Sequence, residues 1–339
     1  MNFFLDLTTF LKFLKIQKNY KRIFFFENSF IESHLEPYIK KNKNFKDTAI
    51  ISFYNIDNEN LKRFKIFNVK SYFFLNLFFL FLNIKFCYSS TPDLDNSAFK
   101  KTVLKKTIYI YIQHSPLGLS QIYRDNAFNN FDIVQAVNVF QENDLKEINF
   151  IKQTKIKIWR SKYLFFESKK KINLINNEKK KILIAPTWST NFFKDNIYLL
   201  IKKNLDFKEY DIYLRPHFMS IKNQDINIKT LINENFKIST GKLDFKFYDI
   251  LITDWSGIYI EFAKINNVKS VLIEIEPKIL NKNIYEFKKE TIDIFARKKL
   301  GIMVKVNELS NLNNIIKKII KEKKDQSNQV EEFFNLYFF

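Results

Sequence analysis

Asp249–Ala263 reads D-I-L-I-T-D-W-S-G-I-Y-I-E-F-A. Ile250, Leu251 and Ile252 form an apolar run too short for anything but a buried strand. Thr253–Gly257 gathers small and polar residues, and Ile258, Ile260, Phe262 and Ala263 then restart an apolar pattern compatible with a helix. A strand, a tight polar turn and a new helix make an anion site. The first helical N–H groups lack backbone partners and carry the positive end of the macrodipole. Ser256 is placed to cap that helix and to donate to a phosphate oxygen, and Gly257 to let a ligand approach the backbone. Glu261 lies one turn further on, in position to take ribose or polyol hydroxyls. The same residues also suit an ordinary strand-to-helix turn, so the rest of the chain has to decide.

On the C-terminal side of the chain, Lys181–Ala185, Tyr210–Leu214 and Lys269–Ile275 read as further strands, with helices over Asp195–Lys203 and Ile228–Phe236. Earlier, Arg22–Phe26, Thr48–Phe53, Phe86–Ser90, Thr107–Gln113 and Phe131–Val137 read as strands, with helices over Ile31–Lys41 and Tyr72–Ile84. Strands alternating with helices predict parallel sheets with helices on their faces. Between the two series, Ile151–Ile182 loses periodicity and carries ten Lys and one Arg against Glu167 and Glu178. It reads as a solvated linker or as a basic rim for an anionic ligand. The expected fold class is α/β, with two Rossmann-like domains facing a cleft. An acceptor-side domain spans 1–150, a basic linker 151–182, and a donor-binding domain 183–339. The last helix carries an apolar stripe of Leu309, Leu312, Ile315, Ile316, Ile319 and Ile320, suited to packing on a domain.

Composition narrows the partners. Over 339 residues the net charge is +20, which favours an anionic partner. The basic residues are spread along the chain without a recognised nucleic-acid motif, which argues against nucleic acid. A lone Cys87 excludes a disulfide framework within the chain, and three His without clustered Cys give no structural zinc site. The apolar segment Tyr72–Ile84 falls short of the roughly 20 residues needed to span a bilayer. Met1–Leu14 is interrupted by Asp6 and Lys12 and lacks a cleavage site. A cytoplasmic location follows as the expectation, with peripheral contact to the inner face of the membrane.

The rare residues mark strand ends, where parallel sheets bind ligands. Gln113-His114-Ser115-Pro116 marks one in the first half; Ala185-Pro186-Thr187-Trp188, Arg215-Pro216-His217 and Thr253–Gly257 mark three in the second. Arg215 is a permanent cation whose fork fits phosphate oxygens, and His217 adds a donor beside it. Thr187, Trp188, Asp254, Ser256, Gly257 and Glu261 complete the candidate donor side. His114, across the cleft, is the candidate general base for an acceptor hydroxyl. His34 shares a helix with Glu32 and Glu36 and is expected on a solvated face. No P-loop, G-x-G-x-x-G or nucleophile elbow is present.

These motifs resemble, in order and spacing, those of the CDP-glycerol glycerophosphotransferase family, which builds teichoic-acid-type polyol phosphates. That pattern has His-Gly-Thr-Pro, then Ala-Pro-Thr-Trp/Tyr-Arg, Arg-Pro-His, and Thr-Asp-Tyr-Ser-Ser with a following acidic residue. Here these correspond to His114–Pro116, Ala185–Trp188, Arg215–His217 and Thr253–Glu261. The resemblance implies a GT-B fold and metal-independent transfer, with a CDP-activated donor as substrate rather than a cofactor. It also implies a surface-glycan or lipid-linked acceptor, His114 as base, and Arg215, His217 and Ser256 at the donor phosphates. A glycosyltransferase of the same fold using a nucleotide sugar is the nearest alternative. Ser115 replaces a Gly of the pattern, Ser189 an Arg, Trp255 a Tyr and Gly257 the second Ser.

Overall fold

The computed structural model describes residues 2–41, 45–96, 99–104, 107–167, 179–188, 191–241 and 243–339. Seven parallel strands form the first sheet: β1 (Arg22–Phe26), β2 (Thr48–Ser52), β3 (Lys65–Asn68), β4 (Phe86–Ser89), β5 (Ile108–Tyr111), β6 (Ile133–Ala136) and β7 (Lys157–Arg160). Their order is β3-β2-β1-β4-β5-β6-β7. Six form the second: β8 (Lys180–Ile184), β9 (Tyr210–Leu214), β10 (Lys237–Ile238), β11 (Ile250–Thr253), β12 (Ser270–Glu274) and β13 (Gly301–Lys305). Their order, β10-β9-β8-β11-β12-β13, reverses direction between β8 and β11. That reversal is the crevice at which doubly wound sheets bind ligands.

The apolar runs explain the sheets. Phe24, Phe25, Phe26, Ile50, Ile51, Ile182, Leu183, Ile250 and Leu251 are all buried, as strands covered on both faces require. In the first domain, helices Asn2–Ile16 and Tyr72–Leu80 pack Phe13, Phe74, Phe78 and Phe79 on one face of the sheet. Helix Ser29–Lys41 covers the other with Ile31, Leu35 and Ile39.

Lys157–Arg160 was assigned by sequence to the basic linker, yet it pairs with β6 as an edge strand. Its four residues carry two cations and leave the edge partly exposed, so no apolar signal announced it. Leu164 and Phe165 are buried as well. The sheets thus change between Arg160 and Lys180, and 168–178 of the expected basic rim lies outside the described residues. The stripe of the helix Leu312–Lys321 buries Leu312, Ile316 and Ile319 in the second core. A last helix, Lys323–Tyr337, returns to the first domain, where Phe338 bridges Asn138 and the Phe339 N–H donates to Val137 O at 3.1 Å.

The domains are joined through the loop after β5. Gly118 N–H donates to Asp293 Oδ2 at 2.8 Å, and Leu119 N–H to Asp144 Oδ2 at 2.6 Å. Asp293 belongs to the second domain and Asp144 to the first, so two buried carboxyls from opposite sides hold one loop. Burial pushes Asp144 up to about 7 and Asp293 up to about 6. Between the unfolded value of about 4 and these values the folded state binds more protons. Each group therefore contributes stability that is fully present at low pH and is lost as pH rises through its folded pKa. Asp293→Asn keeps a carbonyl acceptor for Gly118 but cannot titrate. Its unfolding free energy, measured by urea titration from pH 4.5 to 7.5, should fall less steeply with pH than the wild type's, by on the order of 2–3 kcal/mol. Equal slopes in the two proteins would contradict the clasp.

Candidate functional site

The second-domain wall is built at the ends of β8, β9, β11 and β12. Thr253 Oγ1 donates to Ala185 O at 2.6 Å, and Thr187 N–H donates to Asp254 Oδ1 at 2.7 Å. These bonds lock the two loops that flank the sheet reversal. Asp254 is fully buried, so its carboxylate holds Thr187 in place. Its backbone carbonyl accepts from the buried Arg297, whose guanidinium lies 4.0 Å from the Trp255 ring centroid. Trp255 Nε1 donates to Ile275 O at 2.8 Å, so both faces of the turn are fixed before any ligand arrives.

His217 stands at the start of the helix Phe218–Lys222, its Nδ1 accepting the Met219 N–H at 3.1 Å. The Trp188 ring lies 6.2 Å away. Over the other part of that indole sits Lys278, its ammonium 3.8 Å from the ring centroid. Burial, then Lys278, Arg215 and His114, lower His217 to about 4. The guanidinium of Arg215 donates to Gly241 O at 2.8 Å and leans on Ser239. In this state it braces the loop after β10 behind His217.

His114, on the first-domain wall, hydrogen-bonds through Nδ1 to the Tyr111 hydroxyl at 2.9 Å. Burial is the largest cause lowering it to about 4; the Ser90 backbone opposes the shift and Lys278 adds to it. The imidazole is therefore neutral at pH 7. His114, His217 and Lys278 act electrostatically on one another although they come from three separate loops. Neutral imidazoles beside a buried lysine make a cleft able to take up positive charge when an anion enters.

Several sequence expectations change. His34 is buried rather than solvated, with its ring 4.7 Å from Phe165 and 6.3 Å from His114. Its face carries Ile31, Leu35 and Ile39, an apolar spacing that the neighbouring glutamates obscured. Tyr163 OH lies 3.0 Å from His34 Nδ1 and donates to Glu261 Oε1 at 2.9 Å. Glu261 thus faces the first domain and is engaged by Tyr163. Ser256 does not cap the helix, which runs Ile258–Asn266 with Gly257 at its N-cap and no capping side chain. Gly257 has an ordinary φ of −61°. A Cβ there would lie 2.7 Å from Leu117 Cγ and 2.9 Å from Ser115 Oγ. The missing side chain admits the first domain rather than a ligand. Ser189 lies outside the described residues.

Sequence reasoning missed Lys278, Arg297 and Tyr163. Lys278 carried a usable signal, since Pro277-Lys278 follows a strand end as Pro116, Pro186 and Pro216 do. The other two gave none, because their partners are distant in sequence.

Two parallel Rossmann-like domains with ligand-facing loops at a common cleft define a GT-B-type fold. Solved structures agree. The S. aureus MnaA–UDP co-structure has a TM-score of 0.56 at 10% identity, covering 91% of this chain and 90% of that one. A putative UDP-N-acetylglucosamine 2-epimerase from Listeria monocytogenes has a TM-score of 0.57 at 8% identity, covering 92% and 90%. At such identities the likeness establishes the fold alone.

No family model matches the chain. A stretch of 100 residues is 36% identical to the teichoic acid poly(glycerol phosphate) polymerase of Bacillus spizizenii, covering 26% of this chain and 25% of that protein. The RecBCD enzyme subunit RecC of Buchnera aphidicola is 24% identical over 336 residues, covering 88% of this chain and 30% of that protein. The chain therefore spans less than a third of the length of either curated relative.

Proposed function

We propose that this chain transfers a polyol phosphate from a CDP-activated donor to a surface-glycan or lipid-linked acceptor. The observation carrying the reading is the convergence of His114 with His217 and Trp188 at one desolvated cleft. The motif order and the match to a teichoic acid polymerase support the choice of donor. An acceptor hydroxyl attacks the phosphorus bearing the polyol, the bond to CMP breaks, and a phosphodiester forms. His114 takes the hydroxyl proton as the new bond develops. Its low basicity in the empty cleft suits this role only once the donor is bound. The negative charge of the diphosphate then raises the imidazole's proton affinity. His217, at the start of the helix Phe218–Lys222, stabilises the phosphate charge. No step calls for a metal ion.

A panel of CDP-polyols and nucleotide sugars, scored for nucleotide released and bond formed, tests this. Release of CMP with a new phosphodiester is the expected result. Release of a nucleoside diphosphate with a glycosidic bond would instead make the protein a glycosyltransferase. With the cognate donor, His114→Ala should lower turnover by roughly 10²–10⁴-fold while leaving donor affinity nearly intact. Near-wild-type turnover in a folded variant would remove His114 from the reaction.

A lipid-linked acceptor requires access to a membrane surface. Among the described residues no helix is long and apolar enough to cross one. The aromatic C-terminal residues are packed, Phe333 and Phe334 in the second core and Phe339 against the first. Helices Asn2–Ile16 and Tyr72–Leu80 present a different face: Phe4 is 73% and Phe73 61% exposed, and both rings contact partners in a cluster with Phe3 and Phe74. Exposed Lys12, Lys15, Lys70 and Lys85 lie on or beside these two helices, a charge suited to anionic lipid at about 1 kcal/mol per residue. The protein should float with phosphatidylglycerol vesicles at low salt, and combined Phe4→Ser and Phe73→Ser should abolish flotation. Absence of wild-type binding at low salt would reject this face.

A further inference from the structure

Lys278 lies at the junction of the two domains. Its carbonyl accepts from Gln121 Nε2 of the first domain at 3.2 Å. Leu280 N–H and Asn281 N–H donate to Gln121 O at 3.0 and 3.2 Å, and Asn281 Nδ2 donates to Ser120 O at 2.8 Å. The segment is thus strapped to the loop that follows His114, and the Lys278 side chain has little freedom to leave. Only 9% of the residue is exposed. Among the described residues its side chain forms no ion pair; its Nζ lies 3.8 Å from the Trp188 ring centroid.

We propose that Lys278 is the principal phosphate-binding cation of the cleft, and that it acquires its charge when a diphosphate-bearing ligand enters. This rests on the reading that a nucleotide-activated donor binds here, and assigns its charge recognition to a residue outside the sequence motifs. A lysine is a compact cation with three rotatable donors that loses its proton readily when buried. A permanently charged residue at the same place would keep an uncompensated charge in the empty cleft.

His114, His217 and Asp254 interact electrostatically with Lys278. His114 comes from the loop after β5, His217 from the start of the helix Phe218–Lys222, and Asp254 from the end of β11; Arg215 stands behind His217. Burial lowers Lys278 to about 7, with Asp254 opposing the shift. Both imidazoles are neutral near pH 7 and lend no positive charge. At pH 8 the empty site therefore holds a largely neutral amine. A ligand diphosphate favours the ammonium, and one proton moves from buffer to Nζ as the complex forms. The step is a proton transfer alone, so no bond in the ligand changes.

Titration calorimetry of the full chain at pH 8 with CDP, UDP and inorganic pyrophosphate, in Tris and in HEPES, reads this proton directly. The difference in buffer ionisation enthalpy makes uptake visible as a buffer-dependent heat. For the wild type, uptake should approach one proton per CDP or UDP bound; pyrophosphate, still protonated at pH 8, can supply the proton itself and serves as the affinity probe. Lys278→Met should weaken binding by about 10- to 100-fold, the worth of a hydrogen bond to a charged group, and should abolish uptake. Lys278→Arg carries its charge at every pH used, so it should bind without uptake. Undiminished affinity in Lys278→Met would overturn the proposal. So would uptake persisting in Lys278→Arg, which would assign the proton to the histidines. Lys278-dependent binding of pyrophosphate but of neither nucleotide would keep the lysine's role and remove the nucleotide reading. Failure of all three ligands to bind folded wild type would remove both.

Discussion

The close approach of Leu117 and Ser115 to Gly257 is the contact on which the cleft depends. A side chain at position 257 would begin within 3 Å of both residues, so only a glycine lets the domains meet there at this distance. Leu117, supplied by the first domain, packs in the apolar core of the second. Ser115 and Gly257 stand opposite each other in this contact, the hydroxyl of one occupying the space beside the other. Around this contact the buried carboxyls of Asp144 and Asp293 and the strap at Gln121 hold the loop that carries His114.

Closing the walls takes water from the groups between them, and that explains the electrostatics. Two histidines and a lysine are all shifted toward their neutral forms, mainly by burial. An empty cleft of this kind stores little positive charge but develops it when an anion arrives. Such a site favours ligands that bring their own negative charge, as a diphosphate does, and offers less to a neutral sugar.

Much of the frame was legible in the sequence. Ile250–Thr253 and Tyr210–Leu214 matched their strands, the first because a buried parallel strand is a short apolar run and the second because Tyr210, Ile212 and Leu214 alternate with half-buried residues. Edge strands escaped: Lys157–Arg160 and Lys65–Asn68 mix charge with aromatics, and Lys237–Ile238 has two residues. Within the site, prolines after strand ends led to His114, Trp188 and His217. They did not reveal that Arg215 braces a loop, or that Glu261 and His34 meet through Tyr163. Those roles depend on side chains more than a hundred positions apart in some cases, which neither periodicity nor motif spacing encodes. The reading of Gly257 failed for a related reason. A glycine's sequence context shows that space is needed but not which neighbour fills it.

The central claim is that His114 and His217, from different domains, share one desolvated cleft that receives a diphosphate. Three histidines in the chain make their imidazole NMR signals assignable by single substitutions, with no need for a known reaction. Titrated in the empty protein, His114 and His217 should each change protonation at about 4, and CDP should raise both midpoints together. A midpoint near the ordinary value of about 6.5 for either residue, or a response to CDP confined to one of them, would contradict the account.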